Sequence, residues 1–149
     1  MLESEAYYLF SLRGTGIPEV LSFGRRKHYN ILVEPLLGKS LFDIFNENRK
    51  RMPLPDICLI AKQIIDRIQW VHSRGLVHRD IKPDNFLIGL KDPNVIYLID
   101  FGLSKKYKSD KTGKHIKFES FKEYKNFILK SRQKKDKSYE VYNQGDTGE

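Results

Sequence analysis

Hydrophobic and polar positions alternate with two different periods along the chain. Hydrophobic residues recur at helical spacing over residues 2–13 and again over 55–74. Pro55 suits the first turn of the second stretch and Gly75 ends it. The pattern therefore predicts two amphipathic helices, of which the second is the longest in the chain and presents a hydrophobic stripe to a partner surface.

Short hydrophobic runs bounded by polar turns predict two hairpins. The first pairs residues 19–23 with 29–33 across the polar segment GRRKH, and the second pairs 85–88 with 94–99. Between the hairpins, Ser40 is placed to cap a short helix. Helices and antiparallel strands in this order predict an α+β fold.

Composition and charge narrow the possible classes. The 149 residues carry 27 Lys+Arg and 19 Asp+Glu, a net charge of +8, and 40% are hydrophobic, which excludes a wholly disordered chain. Residues 105–149 hold 13 of the basic and 7 of the acidic residues, a balance of 13 − 7 = +6. Such a tail could attract nucleic acid, acidic protein or a membrane surface. Because no aromatic residues organise the lysines into a binding motif, we favour a solvated, partly disordered tail.

Other signals point to an intracellular protein. No hydrophobic run approaches the roughly 20 residues that span a bilayer, and the acidic start is unlike a signal peptide. We expect a cytoplasmic or nuclear location and no membrane span. Cys58 has no partner for an internal disulfide, and His28, His72 and His115 lack the spacing of metal ligands. No specific nucleic-acid partner is predicted.

The segment HRDIKPDNF at 78–86, followed by DFG at 100–102, carries the chemistry. Transfer of a phosphoryl group requires that negative charge be offset and that metal, nucleotide and acceptor be brought together. Asp80 is the candidate to orient an acceptor hydroxyl and take its proton. Lys82 would offset phosphate charge, and the oxygens of Asn85 and Asp100 are hard ligands suited to Mg²⁺. These residues at these offsets match the protein-kinase signature set.

The residue sequences of these motifs resemble those of the casein kinase I family of serine/threonine protein kinases. Its catalytic loop is similar to HRDIKPDNFLIGL, its hinge to LLGKSLFDIF at 36–45, and its metal loop to IDFGLSKKY at 99–107. The resemblance covers residues 2–118. It implies a partial protein-kinase-like fold over residues 1–118, with a remnant of the small lobe (a helix and two strands), the hinge, and the first part of the helical large lobe. Residues 119–149 form a divergent, lysine-rich tail.

The resemblance also implies roles for single residues. Asp80, Lys82 and Asn85 are the catalytic residues, and Asn85 and Asp100 are the Mg²⁺ ligands. Four further residues belong to the nucleotide site: Leu37, whose backbone meets adenine, Leu87 and Ile99 beneath the base, and Glu3, which falls where the family's helix glutamate pairs with the ATP-anchoring lysine. The implied cofactors are ATP and Mg²⁺, and the implied partners are proteins with acceptor Ser or Thr, including acidic or primed ones.

Departures from the family pattern qualify this hypothesis. The printed sequence contains no G-x-G-x-x-G loop and no Ala-Ile-Lys segment, so we expect weak or no kinase activity from this chain alone. Glu34 stands at the gatekeeper position, normally apolar, and is followed by Pro35. Either Glu34 turns outward or the nucleotide pocket is altered. Two other functions remain open: a pseudokinase-like protein-binding module, and a basic-tail adaptor for acidic partners.

Overall fold

The computed structural model describes residues 2–109 and 112–115. The tail predicted at 119–149 lies outside these residues. In chain order the helices and strands are α1 (Leu2–Leu12), β1 (Ser22–Arg25), β2 (Asn30–Val33), α2 (Leu41–Glu47), α3 (Leu54–Ser73), β3 (Leu76–Val77), β4 (Phe86–Ile88), β5 (Ile96–Leu98) and β6 (Lys105–Lys106), with 3₁₀ turns at Pro83–Asn85 and Phe101–Leu103. The fold is α+β and is consistent with a partial protein-kinase-like fold.

The first helix is held by burial of one face and by a bond from a distant side chain. Ala6, Leu9 and Leu12 on α1 are buried, as the helical spacing predicts. The indole N–H of Trp70, on α3, donates to the carbonyl oxygen of Leu12 at 2.6 Å. Since the last carbonyls of a helix have no partner within it, this bond both satisfies one of them and ties α1 to α3.

The predicted first hairpin forms, but its first strand is displaced. Strands β1 and β2 pair antiparallel from Ser22 opposite Val33 to Arg25 opposite Asn30, whereas the sequence pattern placed the first strand at 19–23. The reason is the turn, in which the N–H of Arg26 donates to the carbonyl of Tyr29 at 2.8 Å. The turn sets the register, and a four-residue partner strand then reaches back only to Ser22.

Ser40 caps α2 as predicted. The Ser40 hydroxyl accepts the N–H of Asp43 at 3.1 Å, and the Asp43 carboxylate accepts the N–H of Ser40 at 3.2 Å. This reciprocal pair is a capping box, which satisfies two otherwise unbonded donors at the start of the helix.

Only one face of the long helix α3 is covered. Val71 is buried, and Ile60 and Ile64 pack against the hydrophobic core. On the other side Leu59 is 64% and Ile65 is 62% exposed. Among the described residues, no helix has the length and hydrophobicity needed to cross a membrane.

The second predicted hairpin is present as β4 and β5, with Phe86 opposite Leu98 and Leu87 opposite Tyr97. Phe86 and Leu98 are buried in the core, so Leu87 and Tyr97 lie on the opposite face. A further pair, β3 with β6, was not predicted from the sequence. Each of its strands has two residues, too few for a periodic pattern to show.

Candidate active site

His78 lies at the junction of the two motifs. It is 3% exposed, and its Nε2 is 2.9 Å from the carbonyl oxygen of Ile99. Because a carbonyl only accepts, Nε2 carries the proton, and Nδ1 is left to accept the N–H of Asp80 at 3.3 Å. Burial lowers the pKa of His78, which favours this neutral form. The ring therefore connects the loop of Asp80 to the strand end that precedes Asp100.

The carboxylate of Asp80 is held through one oxygen. Its Oδ2 accepts from Lys82 Nζ at 2.7 Å and from Asn85 Nδ2 at 2.9 Å. The Asn85 amide also donates to the Asp80 carbonyl at 2.8 Å. The hydrogen bond from Lys82 is the largest cause of a lowered Asp80 pKa, and the bond from Asn85 adds to it. Asp80 is thus ionised and fixed in orientation, and its Oδ1 accepts no hydrogen bond from the described residues.

Asp100 is brought next to this group by the hairpin. The N–H of Ile99 donates to the carbonyl of Asn85 at 3.0 Å, which closes the hairpin at the base of both motifs. Asp100 has left-handed backbone angles, φ 63° and ψ 70°, and its carboxylate accepts the N–H of Gly102 at 3.3 Å. The hydrogen bond from Lys82 to Asp80 is the largest cause of the raised Lys82 pKa, and the charges of Asp80 and Asp100 both add to it. One ammonium therefore lies in the field of both acids.

The donor atoms present suit a magnesium ion shared with phosphates. The side chain of Asn85 uses its nitrogen on Asp80, so its amide oxygen remains to coordinate, and Asp100 is exposed. Within residues 2–109 and 112–115 no three His, Cys, Asp or Glu side chains group to hold a metal by themselves. Mg²⁺ is commonly bound by one or two protein oxygens together with substrate phosphates, so the set fits that mode of binding.

The helix acid that reaches the metal loop is Glu5. Glu5 Oε1 accepts the N–H of Phe101 at 3.1 Å. Glu3 instead forms an ion pair with Arg25 at 3.3 Å, with both side chains largely exposed. Burial raises the pKa of Glu5, and the charges of Asp100 and Glu34 raise it further. The structure does not bring Glu3 to Asp80 or Asp100, and its predicted role toward ATP stays a prediction.

Sequence reasoning missed Glu5, although a signal was present. Glu5 precedes the buried Leu9 by four residues, so it lies on the inward face of α1. Glu3 lies four residues before Tyr7, which is 58% exposed, so Glu3 lies on the outward face of α1. The helical period alone therefore separates the inward acid from the outward one.

The predicted base-binding residues lie along the hinge and on one face of the hairpin. The N–H of Gly38 donates to the carbonyl oxygen of Ile88 at 2.8 Å, and this hydrogen bond holds the hinge against β4. Leu37, one residue earlier, forms no backbone hydrogen bond with any described residue. Leu87 and Ile99 share the face of the hairpin that is turned away from the core, because Ile99 is two residues beyond Tyr97.

A separate cavity of about 470 Å³ runs along the hinge. It is lined by the loop at 13–19, the hinge at 35–37, the turn at 89–92, and Tyr97. None of the four predicted catalytic and metal residues lines it, so it is distinct from the acid cluster around Lys82.

A comparison with known families decides what this arrangement is. The model of the protein kinase domain matches residues 2–143. The chain belongs to the protein kinase domain family. The match includes the loop of Asp80 and the metal loop of Asp100, and it extends beyond residue 118, where the resemblance by motif ends. Membership of this family supports a phosphotransferase function and protein substrates. Protein kinase domains generally use ATP and Mg²⁺.

Proposed function

We propose that the protein is a serine/threonine protein kinase of the casein kinase I type, which transfers the γ-phosphoryl group of Mg-ATP to hydroxyls of protein substrates. One observation carries the proposal. The Asp80 carboxylate is fixed by Lys82 and Asn85 at 2.7 and 2.9 Å, while a backbone bond from Ile99 to Asn85 keeps Asp100 beside them. Acid, ammonium, amide and second acid thus share one site.

Asp80 orients the acceptor hydroxyl in this proposal. Both of its bonds fall on Oδ2, so Oδ1 is available to accept a hydrogen bond from a substrate hydroxyl. The lowered pKa makes Asp80 a weak base. Its contribution is therefore to align the attacking oxygen and to receive the proton late, as bond formation to phosphorus acidifies the hydroxyl.

Lys82, Asn85 and Asp100 act on the phosphates. Lys82 Nζ is bonded to Asp80 and partly exposed, so it can contact the transferring group from the same side as the acceptor. When bound, Mg²⁺ would offset the negative charge of the phosphates. The Asn85 amide oxygen and the Asp100 carboxylate would hold the ion. Leu37 would offer its unbonded backbone groups to adenine, above Leu87 and Ile99.

The casein kinase I assignment and the preference for Ser or Thr rest on the residue sequences of the motifs. The lysine two residues after Asp80 is typical of serine/threonine kinases, and DNFL at 84–87 and LLGKSLFDIF at 36–45 resemble the casein kinase I family. We extend the proposal to acidic or primed protein substrates on the same ground.

Binding and transfer are tested together on the 149-residue chain. We expect Mg-ATP to raise its melting temperature, and Asp100→Asn to reduce that shift. Asp84→Asn is the matched control, because Asp84 is exposed in the same loop and has no assigned role. Long incubation with radiolabelled ATP and casein should give slow transfer that Asp80→Asn abolishes. Absence of any Mg-ATP shift, or slow transfer that persists in Asp80→Asn, would refute the proposal.

A second function is favoured by the uncovered face of α3. Leu54, Leu59 and Ile65 are each at least 62% exposed, and exposed hydrophobic groups of this size mark interaction surfaces. A pseudokinase-like binding module predicts a partner retained without nucleotide. The Mg-ATP shift described above separates the two functions.

A further inference from the structure

Strand β2 is paired along one of its two edges. Within the described residues it belongs to a two-stranded sheet whose other member is β1. At the turn between them the N–H of Arg26 donates to the carbonyl of Tyr29 at 2.8 Å. Because hydrogen-bonding positions alternate along an antiparallel ladder, the backbone groups of Asn30 and Leu32 point away from β1. These groups form no hydrogen bond with any residue in 2–109 or 112–115.

One face of β2 is hydrophobic and uncovered. Leu32 packs against the core on the opposite face, whereas Tyr29, Ile31 and Val33 are 61%, 45% and 41% exposed. Across the ladder Ile31 lies opposite Gly24, which has no side chain to cover it. Exposed hydrophobic side chains thus stand in a row beside an edge of unpaired backbone groups. Such an edge is a template for pairing with another strand.

The sequence of β2 is complementary to a second copy of itself. In an antiparallel pair with a two-fold axis at Ile31, Asn30 of each copy lies opposite Leu32 of the other, and their outward backbone groups bond to each other. The same register sets Ile31 against Ile31, and Tyr29 of each copy against Val33 of the other, so every exposed hydrophobic side chain of this face has a hydrophobic partner. Moving the axis by one residue leaves Tyr29 or Val33 without one. The exposed side chains therefore select one register.

The charges at the two ends of β2 favour the antiparallel direction. The basic turn at 26–28 precedes the strand and Glu34 follows it. Glu34 is exposed and forms no ion pair with a residue in 2–109 or 112–115. Antiparallel pairing sets Glu34 of one copy beside the basic turn of the other, whereas parallel pairing would bring the two basic turns together. Opposite charges across a strand pair stabilise it and like charges destabilise it.

We propose that the free edge of β2 is a dimerisation surface for a second copy of this chain, paired antiparallel with Ile31 of each copy at the two-fold axis. The proposal does not depend on the kinase function. The contact consists of one short strand and the side chains of one face, so the dimer is small in area and reversible. It joins the two copies at the strand that leads directly into the hinge.

Disulfide trapping tests the register. Every variant carries Cys58→Ser, because Cys58 is exposed. Thiols introduced by Ile31→Cys would face each other in a non-hydrogen-bonded pair with Cα atoms about 4.5 Å apart, which a disulfide can bridge. Val33→Cys is the matched control, since Val33 lies on the same face with similar exposure. Its two thiols would lie about 13 Å apart along the strands, beyond the reach of a disulfide. Under mild oxidation Ile31→Cys should form a covalent dimer about tenfold faster or more.

Sedimentation equilibrium of the 149-residue chain gives a second readout. The wild type should show a reversible monomer–dimer equilibrium. Ile31→Lys sets two ammonium groups against each other and should raise the dimer dissociation constant about tenfold or more. Leu21→Lys makes the same change at a residue that is 58% exposed next to β1, away from the free edge, and should leave the constant unchanged.

Three results would each overturn the proposal: a wild type that stays monomeric up to about 1 mM, equal cross-linking of the two cysteine variants, or equal dissociation constants of the two lysine variants. The cross-linking comparison decides the matter if Ile31→Lys does not fold. None of these results bears on the kinase proposal, which is tested by the Mg-ATP shift and by phosphoryl transfer.

Discussion

Replacing Gly16 by alanine tests how the turn after α1 positions the strand that leads to Asp100. Gly16 has φ +75°, and an added Cβ would lie 1.7 Å from Arg67 Nε. That same Nε donates to the carbonyl of Ile96 at 3.1 Å, and the Gly16 carbonyl accepts the N–H of Leu98 at 2.9 Å. The substitution must therefore displace the arginine that joins α3 to β5.

The expected cost has two parts. Left-handed backbone costs alanine about 1–2 kcal/mol, of which about 0.4–1 kcal/mol is offset because alanine also restricts the unfolded chain. Loss of the part-buried bond from Arg67 to Ile96 adds about 0.5–1.5 kcal/mol. We expect Gly16→Ala to lower the free energy of unfolding by about 2 kcal/mol.

Gly75→Ala is the matched control. Gly75 has φ +74°, but the nearest atom to an added Cβ is Lys108 Cβ at 3.4 Å, an ordinary contact. Its cost should be strain alone, about 1 kcal/mol or less. Urea unfolding followed by Trp70 fluorescence measures both variants. Equal losses in the two variants would refute the reasoning, since they would show that the contact with Arg67 contributes nothing. In a background that lacks the Arg67 side chain, Gly16→Ala should lower the free energy of unfolding by the same amount as Gly75→Ala.

Two predictions concern pH. The pKa of Glu5 is raised in the folded state, so ionised Glu5 destabilises the fold as pH rises from about 4.5 through the raised value. Glu5→Gln keeps an acceptor for the N–H of Phe101 and should therefore be more stable relative to the wild type at pH 7 than at pH 4, as measured by urea unfolding. A pH profile of stability equal to that of the wild type would count against the effect. The pKa of His78 is lowered, so the unfolded chain binds the proton more readily and stability falls as pH drops below about 6.5. His78→Gln should remove that fall in the same assay, and a slope that persists would show that other groups cause it.

Local signals were sufficient for the elements whose causes lie within a few residues. The cap at Ser40 needs only its own side chain and that of Asp43. The hairpin of β4 and β5 follows from two short hydrophobic runs separated by a turn. The candidate residues around Asp80 could also be identified from the sequence, because kinase chemistry needs these residues at fixed offsets along one loop.

Other features depend on which backbone groups bond to each other in the folded chain. The displacement of β1 follows from the register set at the turn of Arg26. The pair of β3 and β6 joins residues about thirty positions apart, from Leu76–Val77 to Lys105–Lys106. Neither the register of β1 nor the pairing of β3 with β6 is encoded in the local hydrophobic pattern.

The sequence by itself determined which chemical groups are available: two acids, an ammonium and an amide at the spacing of a protein kinase. Only the tertiary structure decided which oxygen of Asp80 is occupied and that Glu5 is the helix acid that bonds the metal loop. The physical reason is that composition and spacing specify local conformation, whereas burial and hydrogen bonding between α1, β2 and the metal loop depend on how the segments pack.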